Sequence, residues 1–412
     1  MNFEFFIARR IIKSKDYKSS ISAPIIKIAI TAIAIGVVMM LISIATGIGL
    51  QRKIREKVSA FNGDIIITNF DTNFSEDSQI PVSIHQPFYP DFTSLNGIKH
   101  IQATASKGGV IRTETDFEGV VVKGVGTDYD WNNFEEYLVS GKLPDFSGEL
   151  HEDILISEYL ANRLHLNLDD YVITFFLDEE DSSRAPRSRR FVIKGIYNSG
   201  FQQFDEQFLI ADIRHIQHLN RWKQDQVGAF ELFVSDFDKI ESIGHEIYYE
   251  IGSTLDSQTI REKYASIFEW LDLFDFNIIA IIGIMILVAG INMITALLVL
   301  ILERTRMIGI LKAMGSSDRS VRRIFLYNAV YLIGIGLFWG NLIGIGLLLL
   351  QKYGKVFPLD PNTYYVSEAP VYLNWVYIAA MNFGTFFLCL VMLLVAAVMI
   401  TKISPVKAIH FE

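Results

Sequence analysis

The chain has 412 residues, half of them apolar and only a fifth charged, a balance richer in hydrocarbon than that of an ordinary globular protein. Its formal charge of −9 is unevenly spread: residues 51–270 hold 21 Lys and Arg against 37 Asp and Glu, and the remainder is net positive. So acidic a block argues against a nucleic-acid partner, and a single cysteine, Cys389, rules out an intramolecular disulfide.

Residues 1–22 place Phe3, Phe6, Ile7 and Ile11 at helical spacing, with Arg9, Arg10 and Lys13 between them. The pattern suits an amphipathic helix at the inner membrane surface, and suits equally a basic tail that obeys the positive-inside rule. Ile28–Leu50 is the first of four uncharged runs, followed by Phe276–Leu302, Ile324–Gln351 and Ala369–Thr401. A bilayer core about 30 Å thick takes roughly 20 helical residues, and each run is long enough. The runs predict transmembrane helices over 23–50, 275–302, 324–351 and 371–401. The first is too long for a signal-peptide core and is followed by no A-x-A site, so it is expected to be an uncleaved anchor.

Lys and Arg in the flanks give the direction. Arg9, Arg10, Lys13, Lys15, Lys18 and Lys27 precede the first span, and Arg304, Arg306, Lys312, Arg319, Arg322 and Arg323 lie between the second and third. The tail adds Lys402 and Lys407, while the loop at 352–370 has only Lys352 and Lys355. Both termini and the 303–323 segment are therefore expected in the cytoplasm, in a bacterial inner membrane, with 51–274 and 352–370 on the other side.

After the first span, 51–60 is charged and compatible with a helix, a stalk that Asn62-Gly63-Asp64 ends. Strands are predicted over 65–68, 119–125, 171–177, 191–197, 208–210 and 230–234, and helices over 157–164 and 213–219. Asp256 is expected to open a second helical stalk over 257–274, with Ile260, Tyr264, Ile267 and Leu271 on one face. The fold class is thus a membrane protein of four transmembrane helices with a large α+β domain, or two subdomains, between helices 1 and 2. Within the membrane, Gly336, Gly340 and Gly344 form a small-residue face on the third span. No span carries a central ionisable residue, which weighs against an ion-coupled carrier.

Catalytic signatures are missing: the sequence has neither G-x-x-x-x-G-K-[ST] nor H-E-x-x-H. Asp212, His215 and His218 resemble a metal cluster but lack a third strong ligand, so a solvated helix face is expected. His151-Glu152-Asp153, Asp169-Asp170 and Glu179-Glu180 are expected to be solvated turns, not an acid–base pair. No catalytic residue, metal or cofactor of its own is expected.

The informative segment begins where the second span ends: Glu303-Arg304-Thr305-Arg306-Met307-Ile308-Gly309-Ile310-Leu311-Lys312-Ala313-Met314-Gly315-Ser316-Ser317. Gly315 fits the left-handed position that stops a helix, and Ser316 or Ser317 can cap the next one. The product is a short basic helix with Ile308, Ile310, Leu311 and Met314 available for docking.

This segment resembles the coupling element of the FtsX/MacB/LolCE-type ABC permeases. The order of elements is similar too, and 403–409 resembles that family's C-terminal P-V-x-A-L pattern. The resemblance implies that a separate ATPase dimer of LolD type binds ATP and Mg and docks on Glu303, Arg304, Arg306, Met307, Gly309, Ile310, Leu311, Lys312, Met314 and Gly315. It implies that ATP-driven closure passes through the stalks to the periplasmic domain. Residues 359–371, 141–144, 154–157, 161–164 and 191–197 resemble the lipoprotein-releasing LolC/LolE branch. That branch implies lipoprotein substrates, a second permease copy or paralogue, and a LolA-like carrier held by a hairpin hook. Here the hook position carries Arg184, Pro186, Arg187, Arg189 and Arg190, short and basic, and a solvated turn fits it as well. Acyl chains would enter between helices 1 and 2 of two protomers, lined by Ala45, Thr46, Gly47, Ile48, Ile281 and Met285. Family breadth leaves two alternatives, an FtsX-like regulator of an envelope hydrolase and a MacB-like efflux permease.

Overall fold

A computed structural model describes residues 3–13, 22–72, 79–114, 116–176 and 185–398. The chain divides into two compact units, a membrane unit (1–51, 270–358 and 369–412) and an inserted domain (52–269 and 359–368).

Among the described residues the membrane unit contains four helices long and apolar enough to cross a bilayer: Ser22–Asn62, Ala265–Glu303, Asp318–Gly354 and Trp375–Ala397. The first two run on past their apolar stretches as the expected stalks. Gly336, Gly340 and Gly344 turn their bare face to the first helix. A Cβ on Gly340 would lie 2.6 Å from the Cβ of Val37 and 2.9 Å from the Ala34 carbonyl oxygen, and Gly336 and Gly344 meet Ile33 and Leu41 in the same way. The small-residue stripe therefore lets two backbones approach at a distance larger side chains forbid. Helices three and four are joined by a reciprocal amide pair. Asn341 Nδ2 donates to Asn382 Oδ1 at 2.6 Å, and Asn382 Nδ2 donates back to Asn341 Oδ1 at 2.9 Å. Each also donates to the carbonyl four residues earlier, so neither amide is left with an unmet donor in hydrocarbon.

The inserted domain is built on twelve strands: β1 (Ile65–Asn69), β2 (Val82–Ser83), β3 (Ile98–Arg112), β4 (Phe117–Val125), β5 (Leu138–Gly141), β6 (Asp153–Ser157), β7 (Tyr171–Phe176), β8 (Arg187–Tyr197), β9 (Phe208–Asp212), β10 (Gln226–Val227), β11 (Ala229–Val234) and β12 (Leu255–Thr259). Ten form one sheet in the order β12-β1-β11-β3-β4-β9-β6-β8-β5, with β7 bridging β3 and β8. That bridge closes a ring of six paired strands, β3-β4-β9-β6-β8-β7, which removes the open edges they would otherwise expose. Among the described strands, only β4/β9 and β6/β8 run parallel. These ten strands are continuous as one hydrogen-bonded sheet.

Two expectations need correction. The second stalk does not start at Asp256: Leu255–Thr259 is an extended edge strand paired with β1, because helix initiation waits for the capping box of Thr259 and Glu262. The Asp212–His218 group is not a solvated face. Asp212 is buried, caps the helix Ile213–Asn220 and pairs with Arg214, and His215 is buried beside Phe191 with its Nε2 on the His151 carbonyl at 2.7 Å. Only His218 is exposed, and among the described residues no cluster of metal-ligating groups occurs.

Candidate functional site

The second span ends in a kink. Arg304 leaves helical geometry, Thr305 Oγ1 turns back to the Ile301 carbonyl at 3.1 Å, and a separate helix, Thr305–Ala313, begins. Gly315 adopts φ +93°, where a Cβ would be strained, and its N–H bonds Lys312 O. Ser317, of the two candidate serines, caps the next helix by accepting from Ser320 N. Lys312 Nζ reaches Asp318 Oδ1 at 2.8 Å and ties the short helix to the first turn of the third span.

Residues of this segment separate into two faces. Ile308 and Gly309 are buried, and Met307 and Leu311 are half-buried against a small cluster. Glu303, Arg306, Ile310 (48 % exposed), Met314 (79 % exposed) and Gly315 face outward. The expectation that Ile308 and Leu311 share the docking face is thereby corrected: helical spacing puts them on the side that packs. Residues 306, 310 and 314 recur every four positions, so one stripe offers a guanidinium and two apolar groups.

The N-terminal helix, Phe3–Lys13, is what covers the other side, so this part of the N-terminal segment is helical. Ala8 and Ile324 are both buried, with Ile7, Met307 and Leu311 packed round them. Glu4 Oε1 accepts from Ser320 Oγ at 2.9 Å and stands 3.9 Å from an Arg323 nitrogen, and Phe5 meets Tyr327 edge-on. Sequence periodicity marked Ile7 as apolar but gave no sign that its partner would be the 307–324 region.

Of the positions proposed to line a lipid path, Ala45 and Gly47 are buried within the chain. A Cβ on Gly47 would strike Ile278 at 2.5 Å, and Tyr372 N donates to Ala45 O. Thr46, Ile48, Ile281 and Met285 are half-buried, and Thr46 Oγ1 bonds Ile42 O. At the hook position Arg184 lies outside the described residues. Pro186 is exposed, and Arg187, Arg189 and Arg190 belong to β8. Arg187 donates to the Leu219 carbonyl, and Arg190 stacks 4.6 Å over the Tyr171 ring.

A network that no sequence signal marked holds the stalk ends. Lys123 Nζ, 3 % exposed, pairs with Glu231 Oε1 at 2.5 Å and also donates to the Phe61 carbonyl. Gln102 Nε2 donates to the other Glu231 oxygen at 2.9 Å. Asn62 Oδ1 accepts from both Lys263 Nζ and Tyr264 Oη, each at 3.0 Å, which links the end of the first stalk to the start of the second.

Four spans, a large domain inserted after the first and a kinked basic helix after the second define a multi-pass permease subunit. A family model described as MacB-like periplasmic core domain matches residues 28–260, more than half of the chain, and one described as FtsX-like permease C-terminal matches 279–405. The chain belongs to this FtsX/MacB-type ABC permease family. The lipoprotein-releasing system transmembrane protein LolC of Xylella fastidiosa (strain Temecula1) is 21% identical over 405 residues, 93% of either chain. LolC of Haemophilus influenzae is 22% identical over 432 aligned positions spanning 100% of both. The crystal structure of the periplasmic region of MacB from Actinobacillus actinomycetemcomitans is similar at 13% identity, with a TM-score of 0.34, over 49% of this chain and 91% of that one.

Proposed function

We propose that the chain is the permease subunit of an ATP-driven complex that releases lipoproteins from the inner membrane toward a periplasmic carrier. The observation that carries this reading is the end-to-end likeness to proteins named as lipoprotein-releasing permeases, from first span to last. The termini and 303–323 face the cytoplasm, where a separate ATPase dimer binding ATP and Mg docks on Arg306, Ile310 and Met314. Met307, Ile308 and Leu311 act behind that face as positioning residues. A second permease, a copy or a paralogue, completes the pair, and the basic β7–β8 hairpin is the place a LolA-like carrier would meet. The energetic need is plain: each acyl CH₂ drawn from lipid costs about 0.8 kcal/mol, so lifting several chains calls for ATP.

Ile310→Asp and Met314→Asp are expected to abolish co-purification of the ATPase and leave lipoproteins in the inner membrane, with the permease itself still inserted and folded. Retained ATPase binding in both variants overturns the docking face. Depletion of the chain separates the cargo readings: lipoproteins stranded in the inner membrane support release, whereas filamentous cells with normal lipoprotein sorting point to the FtsX-like regulator.

A further inference from the structure

The chain passes between the membrane unit and the inserted domain four times, at 51/52, 269/270, 358/359 and 368/369. Two crossings are the stalks. The other two are the ends of the segment 359–368, between the third and fourth spans, which groups with the inserted domain and not with the helices it joins.

Inside the domain these connections meet in one place. Phe61, at the end of the first stalk, stacks on Phe204 with centroids 4.8 Å apart and planes 21° from parallel. Phe204 stacks on Phe201 at 4.5 Å and 27°, and Phe201 stacks on Tyr365 of the 359–368 segment at 4.7 Å and 23°. Tyr264, at the start of the second stalk, meets Phe204 edge-on at 5.9 Å. A polar bond runs beside the rings: Lys57 Nζ, on the first stalk and 6 % exposed, donates to the Tyr365 carbonyl at 3.0 Å. The turn carrying Phe201 is itself rigid, since the buried Asp205 carboxylate accepts from Ser199 N, Ser199 Oγ and Gly200 N. Tyr365 holds φ +58°, a left-handed backbone unusual for a tyrosine, which the surrounding contacts must maintain.

We propose that the ladder Tyr365–Phe201–Phe204–Phe61, with Lys57 and Tyr264 beside it, is a mechanical junction at which the segment between the third and fourth spans is locked to both stalk ends. The domain is then connected through three tethers, and a displacement of 359–368 reaches residues 57–62, 199–207 and 264 without passing through the sheet. Stacked rings suit this role because offset aromatic faces resist shear and tilt while leaving no polar group to be stranded. The junction exists whatever the cargo; its use in force transfer rests on the ATP-driven reading above.

Hydrogen exchange of the purified full chain, without nucleotide or partner, tests the junction. Tyr365→Ala and, separately, Lys57→Met are expected to speed exchange roughly tenfold or more at 57–62 and 199–207 as well as at 359–368, because these segments open as one unit. Tyr365→Phe keeps the ring and is expected to exchange as wild type. Acceleration confined to 359–368 in both disruptive variants overturns the proposal. With the ATPase co-purified and trapped by ATP and vanadate, wild type is expected to change its exchange at 199–207 and Tyr365→Ala to lose that response while still hydrolysing ATP. A wild type that gives no response to ATP, alongside positive nucleotide-free results, refutes the transport reading and leaves the junction standing.

Discussion

The buried pair Lys123–Glu231 allows a quantitative test of how the first stalk is fixed to the sheet. Lys123 is on β4, Glu231 on β11, and both side chains are almost wholly removed from water. Replacing Lys123 with Met keeps much of the aliphatic length but leaves the Glu231 carboxylate with Gln102 and, at 3.4 Å, the Thr104 hydroxyl as donors, and the Phe61 carbonyl without Lys123. Removing one member of such a pair costs about 3–5 kcal/mol, most of it the penalty of an uncompensated buried charge. For a unit the size of 52–269, each kcal/mol moves the midpoint by roughly 2–4 °C, so the expected fall is roughly 6–20 °C. Thermal unfolding of the full chain in detergent, followed by near-ultraviolet circular dichroism, measures it. The double variant Lys123→Met with Glu231→Leu removes the stranded charge and is expected to recover most of the loss. If Lys123→Met melts within about 2 °C of wild type, the pair contributes nothing and the anchoring argument is wrong. If instead the double variant is as unstable as the sum of the two singles, packing and not charge sets the cost.

Gly340→Val is expected to separate the first and third spans, lowering the midpoint in detergent by the equivalent of about 1–3 kcal/mol, whereas Gly346→Ala, which meets nothing within 4 Å, leaves it unchanged. Equal effects from the two would discredit the close-approach account. His215 carries a pH dependence: burial holds the imidazole below its ordinary 6.5, and among the described residues its Nδ1 has no acceptor for the proton it would gain. The stability its neutral ring contributes is complete above 6.5 and is lost as pH falls below that toward the depressed folded value. Wild type should therefore lose more thermal stability between about pH 7.5 and 5.5 than His215→Gln, and parallel curves would show that the ring does not titrate.

Much of this architecture was open to reading because hydrophobic length and charge asymmetry are one-dimensional signals. The uncharged runs, the glycine stripe and the Gly315 stop need only local spacing, and each has a direct counterpart in the structure. Strand β12 was hidden for a physical reason: Leu255-Asp256-Ser257-Gln258-Thr259 has no apolar alternation, and it is extended because β1 supplies its partner. β3 was missed as well, since Gly108-Gly109 and the polar residues before them dilute its pattern over fifteen residues. Burial of Asp212 and His215 depends on contacts with 146–151 and Phe191, far off in sequence. The same holds for residues 303–317. Its composition was evident, but the division into an outward stripe of Arg306, Ile310 and Met314 and an inward face followed only from where the N-terminal helix packs.

The distribution of buried polar groups narrows what kind of machine this is. In the described spans the hydroxyls of Thr46, Thr295 and Thr385 are spent on carbonyls four residues back in their own helices, and Asn341 and Asn382 satisfy each other. None of these groups is arranged as a relay for protons or ions, since each donor is committed to helix backbone or to a neighbouring amide. In the inserted domain, by contrast, buried polar contacts gather where the chain enters it, at Lys57, Asn62, Lys123, Asp205 and Glu231. Low-dielectric polar networks are costly unless fully satisfied, and a satisfied one fixes a single geometry. Rigid entry points are of little use to a channel that conducts through its spans. Under the ATP-driven reading proposed above, they are what the domain needs for movement generated at one end of two long helices to arrive at the other end as displacement instead of being absorbed as bending.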